Sequence, residues 1–288
     1  MNQSYTQISE DLAVDNSTGE IVETVTVVLP VGSKTYTPQQ QRAYKERKAN
    51  EAKCYAMKSS NKELGSFNFV SVDNGFDDLK AATVARLIYL TTFTRQGSSV
   101  LFKRTNTPIK YNDLTKLMEC SQKTIERFWS EVSPKYMYIN TESNIEINTN
   151  IIRRDKLFRY SGYWQRVYRN SVQKLFHAAT NLNNVGYIFQ LLEYVNVEYN
   201  VLCLNPEEAE LSEIRTLDIN AFCKIIHYDV SQKSRLMRTL KKQTFEVNNK
   251  QERLISFVDG GDKIVINPRV IYSGSDFRKV AVLTLFYD

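Results

Sequence analysis

Lys123, Glu126, Arg127 and Ser130 fall at the spacing that puts them on a single face of a helix. Further along, Ser231, Ser234, Arg235 and Arg238 do the same. The guanidinium forks of Arg127 and Arg235 match the two acceptors on the major-groove edge of guanine, a contact that discriminates by about 1–3 kcal/mol. Gln122 and Gln232, near the two helix starts, suit adenine or phosphate. Lys103, Arg104, Lys241, Lys242 and Lys263 suit phosphate contacts, which position without specifying. The chemistry these residue types offer is recognition of duplex DNA.

Bond-making chemistry is poorly provided for. The chain has two histidines, His177 and His227, and neither belongs to a His-x-His pair of the kind metal-dependent nicking enzymes use. No Gly-x-x-x-x-Gly-Lys-Ser/Thr loop is present, so ATP-driven unwinding is not expected. Seventeen tyrosines could serve as nucleophiles, but the Arg and His-x-x-Arg companions of a recombinase are missing. The expectation is a binder and not an enzyme, with no metal site.

Two helical hairpins must position the polar faces. From Leu114 to Val132 the chain reads as a short helix, a tight turn at Glu119-Cys120, and a second helix capped by Ser121. Its apolar residues, Ile125, Phe128, Trp129 and Val132, form one stripe. Tyr136–Ile139 and Ile145–Ile147, joined by the polar turn 140–144, then predict a β-hairpin wing. A plain packing hairpin has the same letters, but this one recurs 108 residues later. Leu114, Leu117 and Met118 answer to Phe222, Ile225 and Ile226, Ser121 to Asp229, and Phe128, Trp129 and Val132 to Leu236, Met237 and Leu240. The misfit is Ile125 against Lys233, whose stem must lie along the core with its ammonium in water.

Other landmarks repeat in the same order. Residues 85–90 answer to 186–191 and 100–102 to 201–203, both at a shift of 101. Ile145–Asn148 answers to Ile264–Asn267 at 119, with the second wing turning at Asp259–Asp262. A shift that grows along the chain is the mark of a duplication with loop insertions. The fold expected is mainly α with small β wings (α+β): two tandem winged-helix domains, each carrying a helix-turn-helix, joined by a helix. The ranges are an arm with a strand and a basic helix over 1–64, a first domain over 65–152, a linker helix over 153–180, and a second domain over 181–288.

At 288 residues, 42% hydrophobic and 24% charged, the chain is long enough for two cores. No apolar run is long enough to span a bilayer and no signal peptide is evident, so the expected address is cytoplasmic, with no membrane partner. Cys54, Cys120, Cys203 and Cys223 are scattered, which predicts buried thiols and not disulfides. The net charge of +6 is unevenly spread. Residues 1–30 hold five acids and no base, 34–62 hold eight bases against two acids, and 151–174 hold seven bases against Asp155. Residues 193–218 swing acidic, with seven acids against Arg215. Each basic block is either a solvated face or a phosphate-binding one.

Between these landmarks, residues 21–29 read as a strand or an adhesive arm without a neighbour to pair with. Residues 39–58 read as a basic helix, and 163–179 as a helix with Val167, Leu175 and Phe176 buried. There Arg159, Arg166 and Arg169 alternate with Tyr160, Tyr163 and Tyr168, which suits either DNA-backbone contact or packing between the domains. The segment 280–287 is either a closing strand or a short helix.

Asp15-Asn-Ser-Thr-Gly-Glu-Ile21, Tyr187-Ile-Phe-Gln-Leu-Leu-Glu-Tyr194, Leu204-Asn-Pro-Glu-Glu208 and Ile266-Asn-Pro-Arg-Val-Ile-Tyr272 carry a resemblance. With the duplicated landmarks, the chain resembles the two-winged-helix DNA-binding proteins of plasmids and phages of low-GC bacteria, which include replication initiators and MarR-like regulators. The resemblance covers residues 65–275 and implies double-stranded DNA as the partner and no cofactor. The leading expectation is sequence-specific binding that controls transcription, with RNA polymerase components as partners. One alternative is replication initiation with recruitment of a helicase. Another is a protein-interaction module that inhibits a host enzyme, its acidic tail mimicking DNA. Unlike copies on one chain predict two unequal half-sites about one helical turn apart.

Overall fold

A computed structural model describes residues 5–7, 12–15, 18–23, 37–73, 75–154 and 162–280. The chain groups into two units, 1–50 and 51–288. In the first, β1 (Tyr5–Gln7), β2 (Leu12–Asp15) and β3 (Ile21–Glu23) form an antiparallel meander. The β2–β3 turn closes with Gly19 N–H donating to Asp15 O at 2.7 Å, with Gly19 at φ 73°. The run starting at Ile21 therefore has a neighbour, since Ile21 pairs with Val14 and Glu23 with Leu12; residues 24–29 lie outside the described ones. Helix α1 (Pro38–Leu64) follows, opened by a reciprocal cap. Thr37 Oγ1 accepts from Gln40 N, and Gln40 Oε1 accepts from Thr37 N. This is the expected basic helix, extended to Leu64.

The second unit continues with β4 (Phe67–Ser71), α2 (Ala81–Thr91), α3 (Leu114–Leu117), α4 (Gln122–Val132), β5 (Met137–Ile139), β6 (Ile145–Ile147) and β7 (Ile152–Arg153). Then come β8 (Trp164–Tyr168), α5 (Arg169–Ala178), α6 (Leu182–Gln190), α7 (Ile219–Ile225) and α8 (Lys233–Lys241). The strands β9 (Thr244–Val247), β10 (Lys250–Arg253), β11 (Ile255–Val258) and β12 (Lys263–Ile266) complete it. The chain is thus mixed α/β, with eight α-helices and several small sheets among the described residues.

Backbone hydrogen bonds repeat along this unit in matching places. Leu101 N–H donates to Ile145 O, and Leu202 N–H to Ile264 O. Ile109 N–H donates to Leu101 O, and Leu217 N–H to Leu202 O. Asn148 N–H donates to Tyr136 O, and Asn267 N–H to Leu254 O. The last pair places Leu254 where Tyr136 stands, so β11 and β12 answer to β5 and β6. The hairpin β9–β10 is an insertion between α8 and β11. Asn248 and Asn249 turn it at φ 49° and 63°, the left-handed pair a two-residue hairpin turn needs. The sequence places the widening of the second hairpin at its tip, residues 259–262, and carries no signal for this insertion.

The segment expected as one linker helix is a strand followed by a helix. β8 lies antiparallel to β4, which pairs on its other side with β7, giving the order β7-β4-β8. On its free side β8 meets the end of the second copy through the Val167–Ile271 bridge. Val70 pairs with Ile152 as Val167 pairs with Ile271, so the duplication reaches back to β4 and β8. Each strand also carries a buried amide that holds a distant backbone carbonyl, at the last residue of α2 in one case and after α6 in the other. Asn68 Nδ2 donates to Thr91 O at 2.6 Å, and Gln165 Nε2 to Val195 O at 2.9 Å. Val167 is buried as expected, but on a strand. A fully buried run reads the same for strand and helix when periodicity is the only guide.

Both copies share one apolar core that runs from Val70 to Ile271. Its centre is the α2–α6 contact, where Gly186 lies against the backbone of Ala81. A Cβ there would stand 1.7 Å from Ala81 O. At the same crossing Asn183 Oδ1 accepts from Ala82 N, one of the donors left open at the start of α2, and Gln190 Nε2 donates to Leu79 O. A second cluster gathers Leu64, Tyr168, Val201, Val265, Tyr272, Phe277 and Val280. The buried Arg166 links them, donating to Asn61 Oδ1 at 2.8 Å and to Gly274 O.

One smaller expectation needs correction. Cys203 and Cys223 are buried and Cys120 is half-buried, but Cys54 is exposed on α1; all four are free. Segment 281–287 of the C-terminal run lies outside the described residues, as do Arg159 and Tyr160.

Candidate nucleic-acid interface

The α3–α4 and α7–α8 hairpins are built from residues that repeat at a shift of 108. α3 ends at Met118, whose N–H donates to Leu114 O, and α7 ends at Ile226, whose N–H donates to Phe222 O. The next residue in each copy is left-handed: Glu119 at φ 49° and His227 at φ 56°. The turn then closes, with Cys120 N–H donating to Thr115 O at 3.2 Å and Tyr228 N–H to Cys223 O at 2.8 Å. A non-glycine residue rarely adopts this conformation, so two in matching places mark one turn used twice.

The caps differ between the copies. Ser121 Oγ accepts from Thr124 N at 3.3 Å and α4 starts at once. Asp229 Oδ1 accepts from Ser231 N and its Oδ2 from Ser231 Oγ, closing a 3₁₀ turn over Val230–Gln232 before α8 begins. Those bonds hold the Asp229 carboxyl below its ordinary value. Ser231 and Gln232 therefore sit in the turn and not on α8, and the Ser231 hydroxyl is occupied by Asp229.

α4 buries Ile125, Phe128 and Val132, and α8 buries Leu236 and Leu240. Trp129 and Met237 pack half-buried at the edges of these stripes. The opposite faces are open: Gln122, Lys123, Glu126, Arg127 and Ser130 on the first, and Ser234, Arg235 and Arg238 on the second, are all exposed. Ser130 Oγ donates back to Arg127 O at 2.8 Å, which leaves its oxygen free only to accept. Lys242 caps the end of α8 in the open. Lys233 departs from expectation, because its ammonium donates to Asn220 Oδ1 at 2.8 Å.

The two β tips carry different charge. Lys263 is exposed beside Asp259 at 3.6 Å, a pair worth little in water. The first tip has no base. There Glu146 accepts from Asn140, Ser99 and Tyr138. Burial alone would raise its carboxyl, but the three bonds outweigh it and hold it below the usual range. Tyr138 and Ile139 are 38% and 44% exposed beside it, leaving the tip partly apolar.

Several candidates for backbone contact are absorbed into the body. Arg166 and Tyr168 are buried on β8, and Tyr163 donates its hydroxyl to Val195 O. Arg169 turns inward to Thr92 O and Thr94 O. Lys103 is half-buried and paired with Asp113 at 2.7 Å. His177 stands between Tyr89 OH at 3.1 Å and Glu119 at 3.5 Å. A basic, aromatic composition marks these residues but not which way they face. Among the described residues, no helix is long and apolar enough to cross a membrane. No family model, curated protein or solved structure matches the chain.

Proposed function

We propose that the chain is a sequence-specific double-stranded DNA-binding protein built from two tandem winged-helix units, with α4 and α8 as its reading helices, acting in transcriptional control on a phage or plasmid. The observation that carries this reading is the left-handed turn at Glu119 and again at His227, each leading into a helix with an apolar stripe inside and a polar face in solvent. A hairpin kept only for packing has no need of an open face bearing Arg127 or Arg235. The stretch from Ser231 to Lys242 contains no acid, so α8 supplies more of the affinity.

The test is selection of bound fragments from random duplex DNA by the purified chain, followed by titration of the selected site with salt. A defined motif whose affinity falls steeply with salt supports the reading. Recovery of unselected sequence, or binding indifferent to salt, ends it. Unwinding of a supercoiled template carrying the motif would move the role from transcription to replication initiation.

A further inference from the structure

Away from the faces of α4 and α8, two adjoining hollows of about 730 Å³ and 370 Å³ open beside the end of α2 and the start of α5. They share Phe93, Lys103, Arg104, Asn170 and Gln173 as walls. The smaller is lined by Arg95, Lys103, Arg104, Arg154 and Arg169, and by no acid among the described residues. Arg154 Nη1 and Arg169 Nη2 converge on one acceptor, Thr94 O, at 3.0 and 3.1 Å. Bringing two guanidinium groups together under partial burial is unfavourable unless an anion joins them. Burial, and then the Arg154 charge, push the Arg169 guanidinium down to about 10. Arg169 also opens α5, a ten-residue helix with no acid in its first turn, so the positive end of its dipole adds to the same field. Tying down the end of α2 accounts for part of what Arg154 and Arg169 do, and Lys103 is held by Asp113, but Arg95 and Arg104 take no part in either.

The larger hollow is of different character. Phe93 stands half-buried in its wall beside Tyr89, which stacks on Phe176 at 3.9 Å between ring centres. Asn170 offers a side-chain amide there, and Gln173 a second whose Nε2 already donates to Thr92 Oγ1. Lys116 and Lys174 also line it, as do the carboxylates of Asp113 and Glu119, the first already paired with Lys103. A volume of this size with an aromatic wall and polar groups around it suits a small ring-bearing ligand.

We propose that these hollows form one binding site for a small phosphorylated ligand of the mononucleotide class. The phosphate sits against Arg154 and Arg104, with Arg169 adding charge from the wall while its donors stay on Thr92 O and Thr94 O, and the ring sits beside Phe93. Bidentate guanidinium–phosphate contacts supply the strength at one end, and the apolar wall supplies selectivity at the other. The site stands whether or not the chain binds DNA.

Calorimetric titration of the full chain with AMP and with inorganic phosphate tests it. Both are expected to bind, AMP the more tightly. Arg154→Met should weaken AMP by at least about tenfold. Arg104→Ala, a change at an exposed residue that leaves the core alone, should weaken it in the same direction. Phe93→Ala should weaken AMP while leaving phosphate unchanged. Absence of binding to the folded chain at millimolar AMP and phosphate overturns the proposal, as does AMP affinity untouched by Arg104→Ala and Arg154→Met in folded variants. Displacement of AMP by random-sequence duplex overturns it as well, since the phosphate would then be that of a DNA backbone. AMP binding that persists beside duplex supports it.

Discussion

Gly186 and Ala81 meet backbone to backbone: the space a side chain on Gly186 would need is filled by the carbonyl of Ala81, 1.7 Å from the Cβ position. This contact seats α6 on the start of α2 and joins the two copies into one core. The approach of Asn183 to Ala82 N and of Gln190 to Leu79 O depends on the same closeness.

Gly186→Ala should therefore destabilise the whole second unit, although alanine favours helix. Overpacking typically costs about 1–3 kcal/mol, and a clash with backbone belongs at the upper end. Thermal unfolding followed by circular dichroism should show one transition displaced to lower temperature. An unchanged midpoint would mean that α2 and α6 are not held this closely.

Acid should weaken the seat of α4 on α2. Glu131 accepts from Lys80 Nζ at 2.7 Å and from Thr83 Oγ1 at 2.6 Å. Burial tends to raise its carboxyl, but the bonds from Lys80 and Thr83 outweigh it and hold it below the ordinary 4.5. A lowered folded value means that the unfolded chain takes up the proton first. The stabilisation is thus complete above about pH 4.5 and is lost as pH falls through the folded value. Glu131→Gln should flatten that part of the stability–pH curve measured by denaturant unfolding, and an identical slope in the variant would exclude Glu131 as its source.

His227→Gly should stabilise the protein. A left-handed residue with a side chain costs roughly 1–2 kcal/mol, of which glycine returns part against its greater freedom in the unfolded chain. The side chain is exposed, so little packing is lost. A gain of a few tenths of a kcal/mol or more in chemical denaturation is expected. A loss would show that the imidazole makes a contact worth more than the strain.

Arg127→Ala and Arg235→Ala should each relax base preference at one position of a selected site by about 1–3 kcal/mol. Lys242→Ala and Lys263→Ala should instead weaken every sequence alike, each lowering the salt slope by about one. Competition binding with mutated sites separates the two classes. Selectivity unchanged in both arginine variants would show that α4 and α8 are not the reading helices.

A chain starting at Glu51 should remain folded, because among the described residues both core clusters lie between Leu64 and Val280. Its melting midpoint should stay close to that of the full chain. Any duplex affinity should fall with the loss of Arg42, Lys45, Arg47 and Lys48, without a change in the preferred motif. A collapse of the transition would place part of the stability in residues 1–50.

The sequence alone determined whatever depends on near neighbours along the chain. The cap at Ser121, the stripe of Ile125, Phe128 and Val132, and their echo around Asp229, Leu236 and Leu240 are set by spacings of three and four residues and by one side chain reaching one turn. Those signals recur along the chain, so the repeat of bonds and turns was legible, including the growing shift between landmarks. The tertiary structure alone decided what depends on partners far away in sequence. β4 and β8 became strands because each completes the other's backbone hydrogen bonds across about a hundred residues, and no period within Phe67–Ser71 or Trp164–Tyr168 announces that. Arg166 and Arg169 turned inward for the same reason: a guanidinium goes where carbonyls lack donors, and folding places those carbonyls at Gly274, Thr92 and Thr94.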